Sequence, residues 1–202
     1  MAEPGPKALA RDEKALVSRC RRGDREAFTR LMQRYERQIY NFVYRMLGNE
    51  QEAEDLTQDV FVAAFRGISS FRGASRFSTW LYRIALNQTR NRIKYLSRRQ
   101  LLRRDYERVN PDNPYSQDSV EQLIDTRPTP EQMAVARNLA WQVQDCLNQL
   151  PEQFREILVL RDVQGFSYEE LCSMLSLNLG TVKSRLHRAR IALQECLATR
   201  LG

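Results

Sequence analysis

Residues 165–197 read GFSYEELCSMLSLNLGTVKSRLHRARIALQECL. Ser167 followed by Glu170 is typical of a capping box, in which the hydroxyl and the carboxylate bond to the free backbone N–H groups at a helix start. The short turn 177–180 separates that helix from a second one, which we expect to begin at Thr181. This order of cap, helix, turn and helix predicts a helix-turn-helix at the C-terminal end of the chain.

The second of these helices has two different faces. Its apolar residues recur at helical spacing from Val182 to Leu197 and are expected to be buried. The opposite face is basic and polar, as in a recognition helix that presents side chains to base edges in the major groove, and the flanking Arg185 and Arg190 suit phosphates. The same spacing also fits an ordinary helical hairpin with a solvated basic face. The candidate duplex-binding residues are Thr181, Lys183, Ser184, Arg185, His187, Arg188 and Arg190.

A second basic segment, residues 71–95, reads FRGASRFSTWLYRIALNQTRNRIKY, and no acidic residue follows it until Asp105. On a helical wheel its polar residues form one stripe with Trp80 at the flank. Cations neutralise phosphates and aromatic rings stack on unpaired bases for about 1–3 kcal/mol each. Asn87 carries both a donor and an acceptor and suits a displaced base. Any single aromatic here also fits a buried core, but the ensemble favours nucleic acid. The candidate residues for unpaired DNA are Phe71, Arg76, Trp80, Arg83, Asn87, Arg90 and Lys94.

The overall composition agrees with a polyanionic partner. The 202 residues carry a net charge of +7 with a pI near 9.5, which favours nucleic acid or an anionic surface. No apolar run approaches the roughly 20 residues of a membrane-spanning helix. The first residues, MAEPGPKALARDEK, lack the apolar core of a signal peptide. We therefore expect a cytoplasmic chain with no direct membrane insertion.

Metal, cofactor and catalytic sites are not predicted. His187 is the only histidine, and the cysteines form no CxxC pair, so we expect reduced thiols and no metal. The glycines are scattered singly, without a phosphate-binding loop. A helical nuclease would need clustered carboxylates or histidines for a metal, so we expect no enzyme. The four cysteines are Cys20, Cys146, Cys172 and Cys196.

Apolar spacing is helical nearly throughout, which predicts an all-α protein of two helical domains joined by a flexible acidic linker. Helix breaks are expected at residues 22–24 and at Pro151. Phe65 is expected to face inward, and a helix is expected to run through Leu139. The segment from Asp105 is acidic and rich in proline, as linkers are. The predicted boundaries are a flexible tail at 1–12, an N-terminal domain at 13–100, a linker at 101–132 and a C-terminal domain with the helix-turn-helix at 133–202.

Four segments together resemble a known family. In chain order they are RCRRGDREAFTRLMQRYERQIYNFVYRML, EAEDLTQDVFVAAFRGISSFRG, FSTWLYRIALNQTRNRI and LPEQFREILVLRDVQGFSYEELCSMLSLNLGTVKSRLHRARIAL. Their order and spacing over most of residues 19–193 resemble the bacterial extracytoplasmic-function sigma factors of RNA polymerase. The resemblance implies a factor that directs core RNA polymerase to promoters and helps to melt the DNA.

The resemblance also implies roles that spacing alone does not give. The helix like EAEDLTQDVF would dock on the clamp coiled coil of the largest polymerase subunit, and the C-terminal domain would meet the flap of the second-largest. Phe71 and Asn87 match positions around the pocket for a flipped base of the −10 element, while the face from Lys183 to Arg188 matches −35 contacts. Family members are often held at the membrane by an anti-sigma factor. The implied polymerase-docking residues are Glu54, Asp55, Gln58 and Asp59.

A standalone helix-turn-helix regulator is the alternative reading. It explains residues 165–197 but gives no role to the basic, aromatic segment 71–95 or to the acidic helix around Asp55. Tight, specific binding to duplex DNA without core polymerase would favour this alternative.

Overall fold

The computed structural model describes residues 6–109 and 130–201. This part of the chain contains α-helices, one 3-10 turn (Ile68–Ser70) and one π-helical turn (Val159–Val163), and no strand, which confirms the all-α prediction. Its α-helices are α1 (Pro6–Arg21), α2 (Arg25–Leu47), α3 (Glu50–Gly67), α4 (Phe77–Val109), α5 (Pro130–Gln149), α6 (Glu152–Leu158), α7 (Tyr168–Leu175) and α8 (Leu179–Leu201).

In the N-terminal half, α1–α4, side-chain caps mark the starts of α2 and α3. The Asp24 carboxylate accepts a hydrogen bond from the Ala27 N–H at 3.0 Å, so α2 starts directly after the predicted break. Asn49 caps α3 in the same way through the Glu52 N–H at 2.9 Å. Between these helices Gly48 has φ 69°, a left-handed conformation that ends α2. Local sequence therefore determines where α2 and α3 begin.

The helix-turn-helix is confirmed in the C-terminal half, α5–α8. Ser167 and Glu170 form both hydrogen bonds of the capping box at the start of α7. Ser176 ends that helix in a left-handed conformation with φ 56°. The Asn178 side chain then accepts a hydrogen bond from the Thr181 N–H at 2.8 Å. Because Asn178 acts as the cap, α8 begins at Leu179, two residues before the predicted start.

The helices extend into segments that the sequence predicted as tail and linker. Helix α1 begins at Pro6, so residues 6–12 are helical. Helix α4 continues to Val109, which makes the first part of the predicted linker helical, and α5 already begins at Pro130. Proline is favoured in the first turn of a helix, where its missing N–H costs nothing. The rest of the linker, residues 110–129, lies outside the described residues.

Phe65, which was expected to face inward, is exposed, and so is one apolar residue of α5. Phe65 on α3 is 44% exposed, although its ring meets the edge of Phe28 at 5.0 Å, and Leu139 on α5 is 47% exposed. The other core positions of α3 that spacing predicted are buried. Those buried positions are Ala53, Leu56, Val60, Phe61 and Ala64.

The expectation of four reduced thiols is also wrong. Cys146 of α5 and Cys196 of α8 form a disulfide, with Cα atoms 5.8 Å apart and 50 residues between them in sequence. Cys20 and Cys172 are free thiols. The disulfide joins the first and last helices of the C-terminal half.

The two halves are packed against each other and share one hydrophobic core. The Tyr82 ring on α4 meets the edge of Phe166, which precedes α7, at 4.9 Å. Both residues are buried, at 2% and 6% exposure. Helix α4 therefore has one side in the N-terminal core and contacts the C-terminal half with another.

Candidate polymerase and nucleic-acid interfaces

Helix α3 presents an acidic face to solvent. Glu54, Asp55, Gln58 and Asp59 are all exposed, whereas the intervening apolar positions are buried. Asp59 is held at one edge of this face by Arg92, with Nη2 and Oδ2 3.3 Å apart. The amphipathic pattern of α3 thus brings the four predicted docking residues together on one accessible surface.

An apolar extension continues the same face of α3. Val62 and Phe65 follow Asp59 at helical spacing and are 48% and 44% exposed. Exposed apolar residues next to a polar rim are typical of a protein–protein contact. Sequence reasoning missed Phe65 because its hydrophobicity suggested the core. Its i+3 relation to Val62 would have placed both residues beside the acidic face.

The predicted stripe on α4 also forms one continuous surface, called here the α4 stripe: Trp80, Arg83, Asn87, Arg90 and Lys94. Asn87 and Lys94 are exposed, whereas Trp80, Arg83 and Arg90 are partly buried. Asn87 has no hydrogen-bond partner within the described part of the chain, so its amide is available to a base. Arg76 is exposed in the loop just before α4.

Phe71 occupies a different environment from the rest of this set. It is only 8% exposed and packs against Phe77 and Trp80, with ring centroids 6.0 and 5.2 Å apart. Trp80 in turn lies so close to Gly67 that an added Cβ there would be 3.3 Å from its ring. Phe71 therefore packs against the buried side of the Trp80 ring, and Trp80 is the more accessible aromatic residue of the two.

Two arginines of the α4 stripe contact the C-terminal half. Arg90 forms a bidentate pair with Glu156 of α6, with Nε–Oε1 at 2.5 Å and Nη2–Oε2 at 2.7 Å. The hydrogen bonds from Arg90 to Glu156 raise the pKa of the Arg90 guanidinium. Arg83 donates to the Ser173 hydroxyl of α7 at 2.8 Å and to its carbonyl at 3.2 Å. Sequence reasoning missed Glu156 and Ser173 because no local pattern connects them with α4.

On α8 the predicted buried face is confirmed over the first half of the helix, whereas Leu193 and Leu197, also predicted to be buried, are only half-buried. Val182, Leu186 and Ala189 are at most 1% exposed and pack into the core. The opposite side of α8 is exposed to solvent over the first turns of the helix. The exposed residues of this recognition face are Lys183, Ser184, His187 and Arg188.

The residues that flank the recognition face of α8 differ in their exposure and in their contacts with the rest of the protein. Thr181 and Arg185 are half-buried at the edge of the recognition face, and the Thr181 carbonyl accepts a bond from Ser184 at 3.2 Å. Arg190 is paired with Asp162 of the π-helical turn. The surface able to enter a groove is therefore centred on Lys183, Ser184, His187 and Arg188.

The described residues show neither a metal-ion cluster nor a membrane-spanning helix. Within residues 6–109 and 130–201, no three His, Cys, Asp or Glu side chains are grouped so that they could hold a metal ion. None of the helices described is both long and apolar enough to cross a membrane.

Two family models match the chain, and their limits follow the two halves. Sigma-70 region 2 matches residues 31–99, which include the acidic face of α3 and the α4 stripe. Sigma-70 region 4 matches residues 140–193, which include the helix-turn-helix. Each candidate DNA-contacting surface therefore lies inside one of the two matched regions.

Curated relatives match over nearly the whole length. The chain is 34% identical to the RNA polymerase sigma-H factor of Pseudomonas aeruginosa, covering 92% of this chain and 93% of the relative. It is 35% identical to the ECF RNA polymerase sigma factor SigW of Bacillus subtilis, with coverages of 91% and 96%. The ECF RNA polymerase sigma-E factor of Escherichia coli is 34% identical, with coverages of 90% and 92%.

Two solved structures of similar fold are complexes with a second protein. CnrH in complex with the cytosolic domain of CnrY matches with a TM-score of 0.66 and 25% identity over 93% of this chain and 98% of that one. The sigma factor RpoE of Bartonella quintana, in complex with the anti-sigma factor NepR, matches with a TM-score of 0.59 and 25% identity over 85% and 96%. With both sigma-70 regions in order and relatives matched end to end, the chain belongs to the extracytoplasmic-function sigma factors, which direct bacterial RNA polymerase to promoters.

Proposed function

We propose that three helix faces carry the three roles of this sigma factor. The face of α3 binds core polymerase, the α4 stripe binds the unpaired −10 strand, and the recognition face of α8 binds the −35 duplex. On this proposal the N-terminal domain, residues 13–100, carries the first two roles, and the C-terminal domain, residues 133–202, carries the third. The observation that carries the proposal is that the four docking candidates lie on one face of α3, five of the −10 candidates lie on one face of α4, and four of the −35 candidates lie on one face of α8.

The α3 face suits a basic or mixed coiled coil of the largest polymerase subunit. Its acidic side chains are exposed and its apolar extension, Val62 and Phe65, offers area to bury. Buried apolar area stabilises such a contact by roughly 25 cal/mol per Å², whereas the acidic rim gives orientation and a faster encounter. Glu54, Asp55, Gln58 and Asp59 together with Val62 therefore form the proposed docking surface.

The α4 stripe suits single-stranded DNA because it alternates cations with a partly exposed ring. Arg83, Arg90 and Lys94 neutralise phosphates, and Trp80 offers a face to a base. Asn87 is placed between them with a free amide, which can bond to the edge of a base rotated out of the stack. Binding the separated strand lowers the free energy of the open state, so capture promotes melting without any bond being made or broken. In this proposal the chain itself is not an enzyme.

The recognition face of α8 suits a major groove. Lys183 and Arg188 can donate to guanine acceptors, and Ser184 and His187 can bond to several base edges. Arg185 at the rim suits a phosphate. Because DNA reading by α4 and α8 needs a fixed separation, the polymerase supplies the scaffold that holds the two halves on one promoter.

The cellular compartment in which the chain acts follows from its proposed partner, core RNA polymerase. A chain that works on core polymerase acts in the bacterial cytoplasm, and promoter DNA is there as well. The complexes of CnrH with CnrY and of RpoE with NepR support an anti-sigma factor as a further partner of this chain. A membrane-anchored anti-sigma factor would hold the chain at the membrane without inserting it.

Co-elution with core RNA polymerase tests the proposal. The double variant Asp55→Arg/Gln58→Ala should no longer co-elute on gel filtration, whereas the wild type should, with equal helicity by circular dichroism. Glu195→Arg makes the same kind of charge change on the exposed side of α8 and serves as the matched control, which should still co-elute. A wild-type chain that ignores core polymerase and shifts duplex DNA alone would instead establish a standalone regulator.

A further inference from the structure

We propose that a polar cavity between the two halves is a binding site for a small phosphate ester, with Gln38, Arg76 and Ser78 as its phosphate-binding side chains. The cavity has a volume of about 310 Å³. This volume lies within the range of small-molecule sites in proteins, about 300–1,000 Å³. Of the residues assigned above to polymerase or DNA, only Arg76 lines the cavity, so the site is separate from those surfaces.

The walls of the cavity come from both halves of the chain. Helix α2 contributes Gln38, and the loop before α4 and the first turn of α4 contribute Arg76 and Ser78. The C-terminal half contributes Gln164, in the turn before α7, and Glu170 of α7 itself. Polar side chains from four separate segments therefore converge on one space, as they do in preformed ligand sites.

The acidic side chains of the lining are already bonded within the fold. The Glu13 carboxylate accepts a hydrogen bond from the Tyr35 hydroxyl. Glu170 accepts from the Thr79 hydroxyl at 3.0 Å and from the Ser167 backbone N–H at 2.9 Å. Because both carboxylates have donors of their own, the cavity offers little to an amine or a metal cation.

The donors of the lining, in contrast, are left without partners. The side chains of Gln38, Arg76 and Ser78 form no hydrogen bond or ion pair within residues 6–109 and 130–201. The Gln164 carbonyl oxygen accepts from the Tyr82 hydroxyl at 2.5 Å, which leaves the amide N–H groups of Gln164 as further donors. A phosphate monoester has three acceptor oxygens and a charge of about −1.5 to −2 near neutral pH. It therefore matches this excess of donors.

The electrostatics of the cavity favour an anion as well. Arg34 adds a second positive charge to the lining, although it also pairs with Asp12 at 3.6 Å. Ser78 lies in the first turn of α4, where backbone N–H groups lack partners within the helix and carry partial positive charge. A guanidinium such as that of Arg76 binds a phosphate with two parallel hydrogen bonds. These charges supplement the unpaired donors of the lining.

The rest of the lining indicates the size and polarity of the ligand. The rings of Tyr35, Tyr82 and Phe166 border the cavity but are at most 7% exposed, so they offer little area for stacking. Burial raises the pKa of both phenols, which therefore stay neutral. The volume of the cavity is about ten times that of a water molecule in the liquid, about 30 Å³, so a phosphate group alone fills only part of it. The geometry thus favours a phosphate joined to a small polar group, such as a sugar.

Occupation of the site would have two effects. A ligand that binds only the folded chain stabilises it by mass action. Arg76 is also a candidate contact for unpaired DNA, and a guanidinium that is bonded to the ligand is not available to a DNA phosphate. The ligand and the −10 strand should therefore compete at Arg76. This second effect rests on the proposed function, whereas the site itself does not.

The test uses the full chain with glucose 6-phosphate and AMP as separate probes. The variant Arg76→Gln/Gln38→Ala removes two of the proposed phosphate donors, both at exposed positions where the fold tolerates the change. The matched control, Arg72→Gln/Gln33→Ala, makes the same changes in the same loop and on the same helix, at exposed positions that do not line the cavity. A further variant, Arg76→Lys, keeps the charge but loses the planar pair of donors.

Isothermal titration calorimetry measures Kd, and thermal melts measure the stabilisation by each probe. We expect at least one ester to bind the wild type and the control with Kd values within about twofold of each other. The double variant should bind that ester about tenfold or more weakly, because charge-assisted hydrogen bonds to the phosphate are lost. Arg76→Lys should lie between the two. Equal affinity in double variant and control, or no binding of either ester to the wild type, would overturn the inference.

Inorganic phosphate and sulfate, at matched ionic strength, distinguish this site from a general effect of anions. Either anion should bind more weakly than the ester, since it leaves part of the cavity unfilled. An anion that binds as tightly as both esters, or that raises Tm equally in wild type and double variant, would overturn the inference.

Competition with a labelled single strand, followed by fluorescence anisotropy, tests the second effect separately. The ester should lower the affinity of the wild type for the strand. An ester that binds as expected without displacing the strand would keep the cavity as a ligand site and would remove Arg76 from the proposed −10 contacts.

Discussion

Arg190 of α8 and Asp162 of the π-helical turn form a bidentate ion pair, with Nη2–Oδ1 at 2.6 Å and Nε–Oδ2 at 2.9 Å. The hydrogen bonds to Asp162 raise the pKa of the Arg190 guanidinium. Arg188, two residues earlier, points to solvent, and its Nε reaches only the Ser184 carbonyl, at 3.4 Å. The two arginines predicted from sequence as DNA contacts are therefore unequal, because one is already bonded within the fold.

The first prediction concerns this inequality. Arg188→Ala should lower transcription from a promoter that depends on its −35 element by about tenfold or more, as expected for loss of a base contact worth about 1–3 kcal/mol. Arg190→Ala should lower it far less, since Arg190 mainly joins α8 to its neighbour. The measurement is single-round run-off transcription with holoenzyme, on a promoter selected from a random library. Equal losses in the two variants would contradict the assignment.

The second prediction concerns Asn87. Asn87→Ala should reduce discrimination between −10 sequences by about tenfold, because a hydrogen-bonded base edge is lost while the fold is untouched. Competition between matched and mismatched −10 promoters for one holoenzyme measures this ratio. Asn138→Ala, an exposed amide on α5, is the control and should leave the ratio unchanged. Loss of core-polymerase binding in Asn87→Ala would point to misfolding and count against the role.

Local features of the fold could be read from sequence, and long-range ones could not. The Ser167–Glu170 capping box and the apolar spacing of α8 act within a few residues, so they predicted a helix-turn-helix and its two faces correctly. The partner of Arg90 is 66 residues away, and no spacing rule connects it with Glu156. The exposed and buried faces of α3 and of the first turns of α8 were thus largely predictable, but the packing of the two halves against each other was not.

Residue type also misled where burial is decided by neighbours. Phe65 and Leu139 are hydrophobic and lie at plausible core spacing, yet both are more than 40% exposed. Phe71 shows the opposite case, since it lies in the basic segment 71–95 and yet is only 8% exposed and packs against Trp80. Its predicted DNA contact stays a prediction. The hydrophobicity of a side chain sets the free-energy cost of exposing it to water. The packing of the other helices decides which hydrophobic side chains nevertheless stay exposed.

The third prediction concerns pH. Asp24 accepts hydrogen bonds from the Ala27 N–H and from Arg19, and these lower the pKa of its carboxyl. Because the pKa is lower in the folded state than in the unfolded state, ionised Asp24 stabilises the fold above about pH 4, and this stabilisation is lost as the pH falls through the lowered value. Asp24→Asn keeps a capping oxygen but has no charge, so it should lose only the pH-dependent part.

Thermal melts between about pH 3 and pH 7 measure this effect. The difference in Tm between wild type and Asp24→Asn should be largest at neutral pH and should close on acidification, as the ordinary carboxyl pKa lies near 4. Asp24→Ala, which also loses the cap, should be the least stable at neutral pH. Glu36→Gln, an exposed carboxylate on α2, is the control. A difference that stays constant with pH would contradict the role of the Asp24 charge.

The fourth prediction concerns the disulfide between Cys146 and Cys196. A cross-link that closes a loop of 50 residues stabilises a fold by about 4 kcal/mol through the entropy of the unfolded chain. Cys146→Ser/Cys196→Ser should therefore lower Tm by on the order of 10 °C under oxidising conditions. A thiol reductant should lower the wild type to the same Tm and leave the variant unchanged.

The free thiol of Cys172 provides the matched control for this comparison. Cys172→Ser should melt like the wild type and respond to reductant in the same way, because it leaves the cross-link intact.

Mass spectrometry after alkylation counts the free thiols directly, and the oxidised chain should have two fewer free thiols than the reduced chain. Disulfides are rare in the reducing cytoplasm, where those that form are usually transient or redox-sensing. Four alkylated thiols before any reductant is added, together with a Tm that does not respond to reductant, would show that α5 and α8 are held together without a covalent cross-link.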